Sequence, residues 1–281
     1  MPGDRLSWGA QALWQQLAPV LPGIGVEVVA RIESTNSELL ARARQQGGRR
    51  GDDQAPCLLV AEQQTRGRGR QGKPWLSHAG ASLTFSLSLG LQPADWSGLS
   101  LAVGVALADA LQPQWPAAGP RLMLKWPNDL WLSAAPGQGR KLGGILIETL
   151  MSAGLRWAVV GVGLNIQPQA LEGLDSGYAC LQEIDPAVTA PSALACVALP
   201  LVRALRCFEQ DGFAPFAEGF ARRDLLRGQR VGSSSPEAPE GIAEGVDAQG
   251  ALLLRGRELH TIVGGEVSVR PLAPGREPPA C

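Results

Sequence analysis

The sequence predicts an α+β protein: a mixed, mainly antiparallel sheet flanked by helices, followed by a small all-β module. Three observations predict it. Across residues 121–166, strand-like runs follow one another with links too short for crossover helices, which favours antiparallel neighbours. Apolar residues at helical spacing flank that region. Beyond residues 228–241, a stretch rich in Gly, Ser, Pro and Glu, the chain alternates apolar and polar residues.

Taken in order, residues 7–17 read as a helix, with Trp8, Leu13, Trp14 and Leu17 near helical spacing. Residues 26–32 read as a strand. Glu38 lies three residues after Thr35, a capping-box pattern, so a helix starts there; it runs to about Gln46 and stops at Gly47-Gly48. A polar loop, 48–56, leads to a short strand, 57–62. Residues 82–89 put Leu83, Phe85, Leu87 and Leu89 on one face and Ser and Thr on the other, which predicts a half-buried strand. Ser97 is the expected cap of a helix through Leu111. Strands are predicted at 121–126, 129–132, 141–149 and 155–166, with 134–140 as an inserted loop, and helices at 192–210 and 213–226. The expected division is a main domain over 1–227, a small domain over 228–272 with turns at 247–250 and Gly264-Gly265, and a disordered tail over 273–281.

Composition narrows the function. The 281 residues are 45% hydrophobic and 18% charged, enough apolar material for a packed core, and the formal net charge is −1. That balance argues against a protein holding DNA chiefly by neutralising phosphates. Five cysteines form no C-x-x-C pair, and only His78 and His260 occur, so neither a zinc site nor a disulfide framework is expected. A reducing cytoplasm is the expected home. The N-terminus lacks signal-peptide organisation. The apolar runs near 101–111 and 193–202 read as too short and broken to span a bilayer.

Only three lysines occur, Lys73, Lys125 and Lys141, against 22 arginines, and each sits in an unusual motif: GRGRQGKPW, LKWPND and RKLGGILIE. The first matches both G-x-G-x-x-G and G-x-x-x-x-G-K. Those patterns bind phosphate at a helix N-terminus, whereas Pro74, Trp75 and a strand follow here. What remains is a glycine-rich loop bearing Arg66, Arg68, Arg70 and Lys73. It is either a solvated basic turn or an anion-binding loop, and the density of glycine and charge favours the second. In the second motif, strand alternation sets Lys125 opposite the face of Leu122, Leu124 and Trp126. The PND turn then presents Asn128 and Asp129. Lysine, amide and carboxylate together suit a nucleotide and Mg²⁺, but PND is ordinary turn composition, and taken alone this motif reads as a plain turn. In the third motif, Gly143 and Gly144 interrupt a strand beside Lys141. Close approach of a ligand and a β-bulge explain them equally well.

Together these motifs resemble those of the biotin–protein ligases. The matching residues are Ser34-Thr35-Asn36, Gln64 with GRGRQG at 67–72, Trp75, KWPND at 125–129, KLGGILIE at 141–148 and VVGVGLNI at 159–166. GVDAQGALLL and GGEVSVR, within residues 245–270, fit the family's small C-terminal barrel. The resemblance spans residues 33–270 in order. It implies a class II synthetase-like catalytic domain plus an SH3-like β-barrel. It also implies biotin held by Ser34, Thr35, Asn36, Gln64, Gly67, Arg68, Lys141 and Gly143. ATP would be held by Arg70, Trp75, Lys125, Asn128, Asp129, Asn165 and Arg270, with Asp129 also on Mg²⁺. Arg68, Arg70, Lys125 and Lys141 would be catalytic. Lys73 falls where the family varies, and loops 48–56 and 134–140 lie outside the match.

The implied reaction joins biotin's carboxylate to the α-phosphate of ATP, then passes biotin to a lysine of the biotin carboxyl carrier protein of acetyl-CoA carboxylase. The first step joins two anions, so cations and alignment are needed more than a base. Lipoate–protein ligase is the nearest alternative of the same fold. A biotin-responsive repressor is a second, and it would carry a helix-turn-helix ahead of Ser34, where only one short helix is predicted; a non-catalytic biotin-binding module is a third, and it would not need Asp129, Asn165 and Arg270. No specific DNA or membrane binding is expected, and the chain is expected to be a monomer or weak homodimer.

Overall fold

A computed structural model describes residues 6–45, 55–135, 138–152, 154–170, 176–264 and 267–272. Seven strands form the main sheet: β1 (Gly25–Ile32), β2 (Cys57–Gln64), β5 (Ser82–Gly90), β6 (Arg121–Lys125), β7 (Asp129–Ala135), β8 (Gln138–Ser152) and β9 (Leu155–Asn165). Their order is β1-β2-β5-β9-β8-β7-β6. Among the described residues of this sheet only β1 and β2 are parallel; every other pair is antiparallel, and tight turns or short links join β6 through β9. Two further strands, β3 (Gly67–Arg68) and β4 (Pro74–Trp75), form a small hairpin outside this sheet.

Helices cover both faces. On one side, α1 (Ala10–Leu17), α3 (Leu99–Leu111), α4 (Ala190–Asp211) and α5 (Ala217–Arg223) share the main core with Leu83, Phe85, Leu87 and Leu89. On the other, α2 (Thr35–Gln45) lays Leu39 and Leu40 over Leu59 and Val159. The β5 strand is therefore buried on both faces, not half-buried as its alternation suggested. Its polar side chains find partners there: the Thr84 hydroxyl donates to Ala61 O at 3.0 Å, and Ser86 meets the start of α2. The predicted stop of α2 at Gly47-Gly48 and the 48–54 part of the polar loop lie outside the described residues.

Other expectations need correction. Gly98, with φ 79°, precedes α3, and Ser97 does not cap it; the Ser97 N–H donates to Asp95 Oδ1 at 2.9 Å instead. Gly98 must be glycine on two counts, positive φ and Phe213 packed where a Cβ would stand. The inserted loop at 134–140 is largely the β7–β8 hairpin, with only 136–137 outside the described residues. Helix α4 begins at Ala190 behind the reciprocal Thr189–Ser192 cap, and its 22 residues are long and apolar enough to cross a membrane. Half of it is buried in this molecule, and it packs on α3 and α1. The expected 213–226 helix is a 3₁₀ turn, Ala214–Phe216, followed by the shorter α5. Cys57, Cys180, Cys196 and Cys207 are free thiols.

After α5 the chain turns beside β6, where Leu225 N–H donates to Leu124 O at 2.9 Å. A second, all-antiparallel sheet follows: β10 (Arg230–Ser233), β11 (Glu240–Val246), β12 (Leu252–Arg255), β13 (Leu259–Ile262) and β14 (Val269–Pro271), in the order β13-β12-β11-β10-β14. Its inward residues, Val231, Ala243, Leu252, Leu254, Ile262 and Val269, join the main core. The Trp126 indole donates to Gly250 O at 3.1 Å, tying the β6–β7 turn to this sheet.

Candidate active site

The β3–β4 hairpin, the β6–β7 turn, the start of β8 and the end of β9 enclose a cavity of about 650 Å³, with residues 267–271 along one side. One end is a fixed hydrogen-bond network at the buried start of α2. Gln64 Oε1 accepts from the Thr35 N–H at 2.7 Å and its hydroxyl at 3.1 Å. Ser86 Oγ lies 2.6 Å from both Thr35 Oγ1 and Asn36 Oδ1. Asn36 Nδ2 donates to Leu146 O at 3.2 Å and to Glu148 Oε2 at 3.0 Å. Gly161 opens the room for this amide, since a Cβ there would collide with it. Phe85, Ile145, Leu146 and Val162 supply apolar wall nearby.

The GRGRQG segment is a hairpin, not a helix start. Gly67 pairs with Trp75, and a Cβ on Gly67 would strike the Trp75 carbonyl. A 3₁₀ turn at Arg70–Gly72 joins the two strands, with Gln71 at φ 56°. From this hairpin Arg68 reaches the Glu148 carboxylate at 3.2 Å. Arg70 donates to Asn128 Oδ1 at 3.1 Å and to Val267 O at 3.4 Å, touching both the turn and the C-terminal segment. The Trp75 ring rests on Gly163, which has no room for a Cβ.

Cations gather at the other end. Ladder pairing sets Lys125 opposite Asp129 and Trp131 opposite Lys141, all on one sheet face. Lys141 Nζ lies 2.7 Å from Asp129 Oδ1. Asn165 Nδ2 donates to Lys141 O and to Ala179 O, fixing the backbone behind it. Burial pushes the Lys125 ammonium down to about 8; Asp129 opposes the shift, and the positive charges of Lys141, Arg270 and Lys73 add to it.

The cavity wall thus gathers Ser34, Thr35, Asn36, Gln64, Arg68, Arg70, Lys73, Trp75, Lys125, Asn128, Asp129, Lys141, Asn165 and Arg270. Gly67 and Gly143 are not on it. Gly143 faces Gly163 O and Leu164 of β9, so its missing side chain serves strand packing, and Gly144 lines the cavity instead. Trp131, Glu148, Ser86 and Tyr178 were not among the site residues expected from the sequence. Strand alternation from Asp129 points to Trp131, and the 82–89 alternation puts Ser86 on the polar face. Tyr178 joins Lys141 through an isolated bridge that no local pattern signals.

A metal site made by the protein alone is not evident, since no group of three or more His, Cys, Asp or Glu side chains able to hold one occurs among the described residues. Among the described residues, Asp129 is the one acidic residue on the cavity wall. One carboxylate completed by phosphate oxygens is a donor set that suits Mg²⁺.

Fold and site define a class, a synthetase-like α+β enzyme whose pocket runs from an apolar, hydrogen-bonding end to a cluster of cations. The comparisons agree. The Biotin/lipoate A/B protein ligase family model matches residues 28–165, and the Biotin protein ligase C terminal domain model matches residues 230–270. The biotin–[acetyl-CoA-carboxylase] ligase of Mycobacterium tuberculosis is 34% identical over 93% of this chain and 92% of its own length. The bifunctional ligase/repressor BirA of Escherichia coli is 34% identical over 91% of this chain and 77% of its own. Among solved structures, the biotin protein ligase of Aquifex aeolicus in complex with biotin and ATP superposes with a TM-score of 0.70 at 25% identity, over 88% of this chain and 99% of that one. The chain belongs to the biotin protein ligase family and is an enzyme of that class.

Proposed function

We propose that this chain activates biotin with ATP as biotinyl-5′-AMP and transfers biotin to a lysine of a biotin carboxyl carrier domain, in the cytoplasm. The observation that carries this is the union, in one cavity, of the Thr35–Asn36–Gln64 network with Arg68, Arg70, Lys125, Lys141 and Arg270. Ser34, Thr35, Asn36 and Gln64 hold the biotin head group. Lys141 and Arg68 receive its carboxylate. Arg70, Lys125, Asn128 and Arg270 hold the phosphates, with Trp75 and Asn165 framing the nucleotide.

The carboxylate is already a nucleophile, so the protein's task is to hold two anions in line and neutralise charge as it shifts. A carboxylate oxygen bonds to the α-phosphorus and pyrophosphate leaves. The carrier's amine then bonds to the acyl carbon and AMP leaves. Mg²⁺, held by Asp129 and the phosphates, would neutralise charge on the leaving pyrophosphate. Losing one such donor typically costs ~3 kcal/mol in the barrier.

Biotin is preferred over lipoate because the C-terminal domain model matched is that of biotin ligases. Biotin-dependent pyrophosphate release from ATP tests this reading. Release with lipoate in place of biotin would overturn it. The proposal gives residues 6–272 no DNA-binding role, and a gel shift at physiological salt would expose one.

A further inference from the structure

Lys125 poses a physical problem. It is 9% exposed, and Lys141, Arg270 and Lys73 all act on it with the same sign of charge. The carboxylate opposite it in the ladder, Asp129, is already within 2.7 Å of Lys141. No hydrogen bond or ion pair holds the Lys125 ammonium among the described residues. What meets it is an aromatic face, with Nζ 5.4 Å from the centroid of the Trp131 ring. Trp131 is itself 8% exposed and lines the cavity. It belongs to the same sheet face, between Met123 on β6 and Lys141 on β8. A Cβ on Gly139 would crowd both Leu132 O, at 3.0 Å, and Trp131 Cε3, at 3.2 Å.

We propose that Trp131 is a positioning residue whose ring face holds the Lys125 ammonium in place for the phosphates of the nucleotide. A desolvated ammonium over indole is attracted by the ring's quadrupole, and indole is the strongest of the protein's aromatic faces for this purpose. The ring fixes the direction of the flexible lysine stem without adding a second anion beside the phosphates. A carboxylate in the same place would hold Lys125 as well and would repel the nucleotide. The inference rests on the ligase assignment for the identity of the ligand.

The test replaces Trp131 alone, by site-specific incorporation, with mono-, di- and tetrafluorotryptophan. Fluorine weakens the ring's attraction for a cation while barely changing its size, so a packing role would not follow the series. Binding of the ATP analogue with a carbon bridge between its α- and β-phosphates is measured by calorimetry with Mg²⁺. The expected result is affinity that falls stepwise with fluorine number, to roughly tenfold below the unmodified protein. Trp131→Phe should lie within the series and Trp131→Leu at its weak end, with the same substitutions at buried Trp157 silent. Equal affinity across the fluorinated series overturns the inference, whatever Trp131→Leu does. Biotin-dependent pyrophosphate release by the unmodified chain is read separately, so failure of the ligase assignment would be seen as its own result.

Discussion

At the scale of single residues, the proposed function makes a testable demand on the cation end of the cavity. Burial pushes Lys125 down to about 8 from a usual value of 10.5. A depressed lysine is charged below that value and neutral above it, so under the proposed assignment the nucleotide would lose a cation as pH rises through about 8. kcat/KM for ATP is expected to fall across that range, and Lys125→Arg, which stays charged, should remove the fall. A profile flat to pH 10 in the unmodified enzyme would contradict the assignment. Arg70 holds together the hairpin, Asn128 and Val267. Arg70→Gly should still form adenylate but release it early, because the cover over the intermediate is loosened. Retention of adenylate equal to that of the unmodified enzyme would sink this view.

At the scale of elements, two junctions carry strain or cost. In β9, Gly161 faces Asn36 with no space for a Cβ. Gly161→Ala should weaken biotin binding by about fivefold or more, since overpacking costs ~1–3 kcal/mol; calorimetry with biotin checks this. Between α5 and β10, Asp224 has a buried Oδ2 with no partner, and burial pushes its carboxyl up to about 6. The folded state therefore holds this proton more tightly than the unfolded chain does, and the stability it confers is lost as pH rises through 6. Asp224→Asn escapes that cost. It should raise Tm at pH 8, by the equivalent of about 2–3 kcal/mol, and change it far less at pH 4. Equal effects at both pH values would refute the burial argument. Strand existence and the antiparallel run from β6 to β9 were legible because alternation and short links are local signals. The parallel β1–β2 pair, the two-sided burial of β5 and the Gly98 start of α3 were not. Each depends on what packs above the strand or helix, such as α2 over Ser86 or Phe213 against Gly98. The motif residues were legible for the opposite reason: GRGRQG, KWPND and KLGGILIE combine residue types that plain turns and strands rarely need. Gly67 and Gly143 show the limit, since a glycine required by a neighbouring strand looks in sequence like one required by a ligand.

At the scale of the molecule, the two sheets meet at the cavity. Trp126 donates to Gly250 O, Arg70 reaches Val267, and residues 267–271 line one side of the pocket. Under the proposed function the small sheet would help enclose an intermediate that water would otherwise hydrolyse. The division proposed for the chain, 1–227 and 228–272, makes that enclosure a contact between modules. The most direct test incubates the protein with ATP, Mg²⁺, biotin and a biotin carboxyl carrier domain, then weighs the carrier by mass spectrometry. The carrier is expected to gain the mass of one biotin on a single lysine, and nothing when lipoate replaces biotin. An unchanged carrier, or one that gains lipoate instead, would contradict the account.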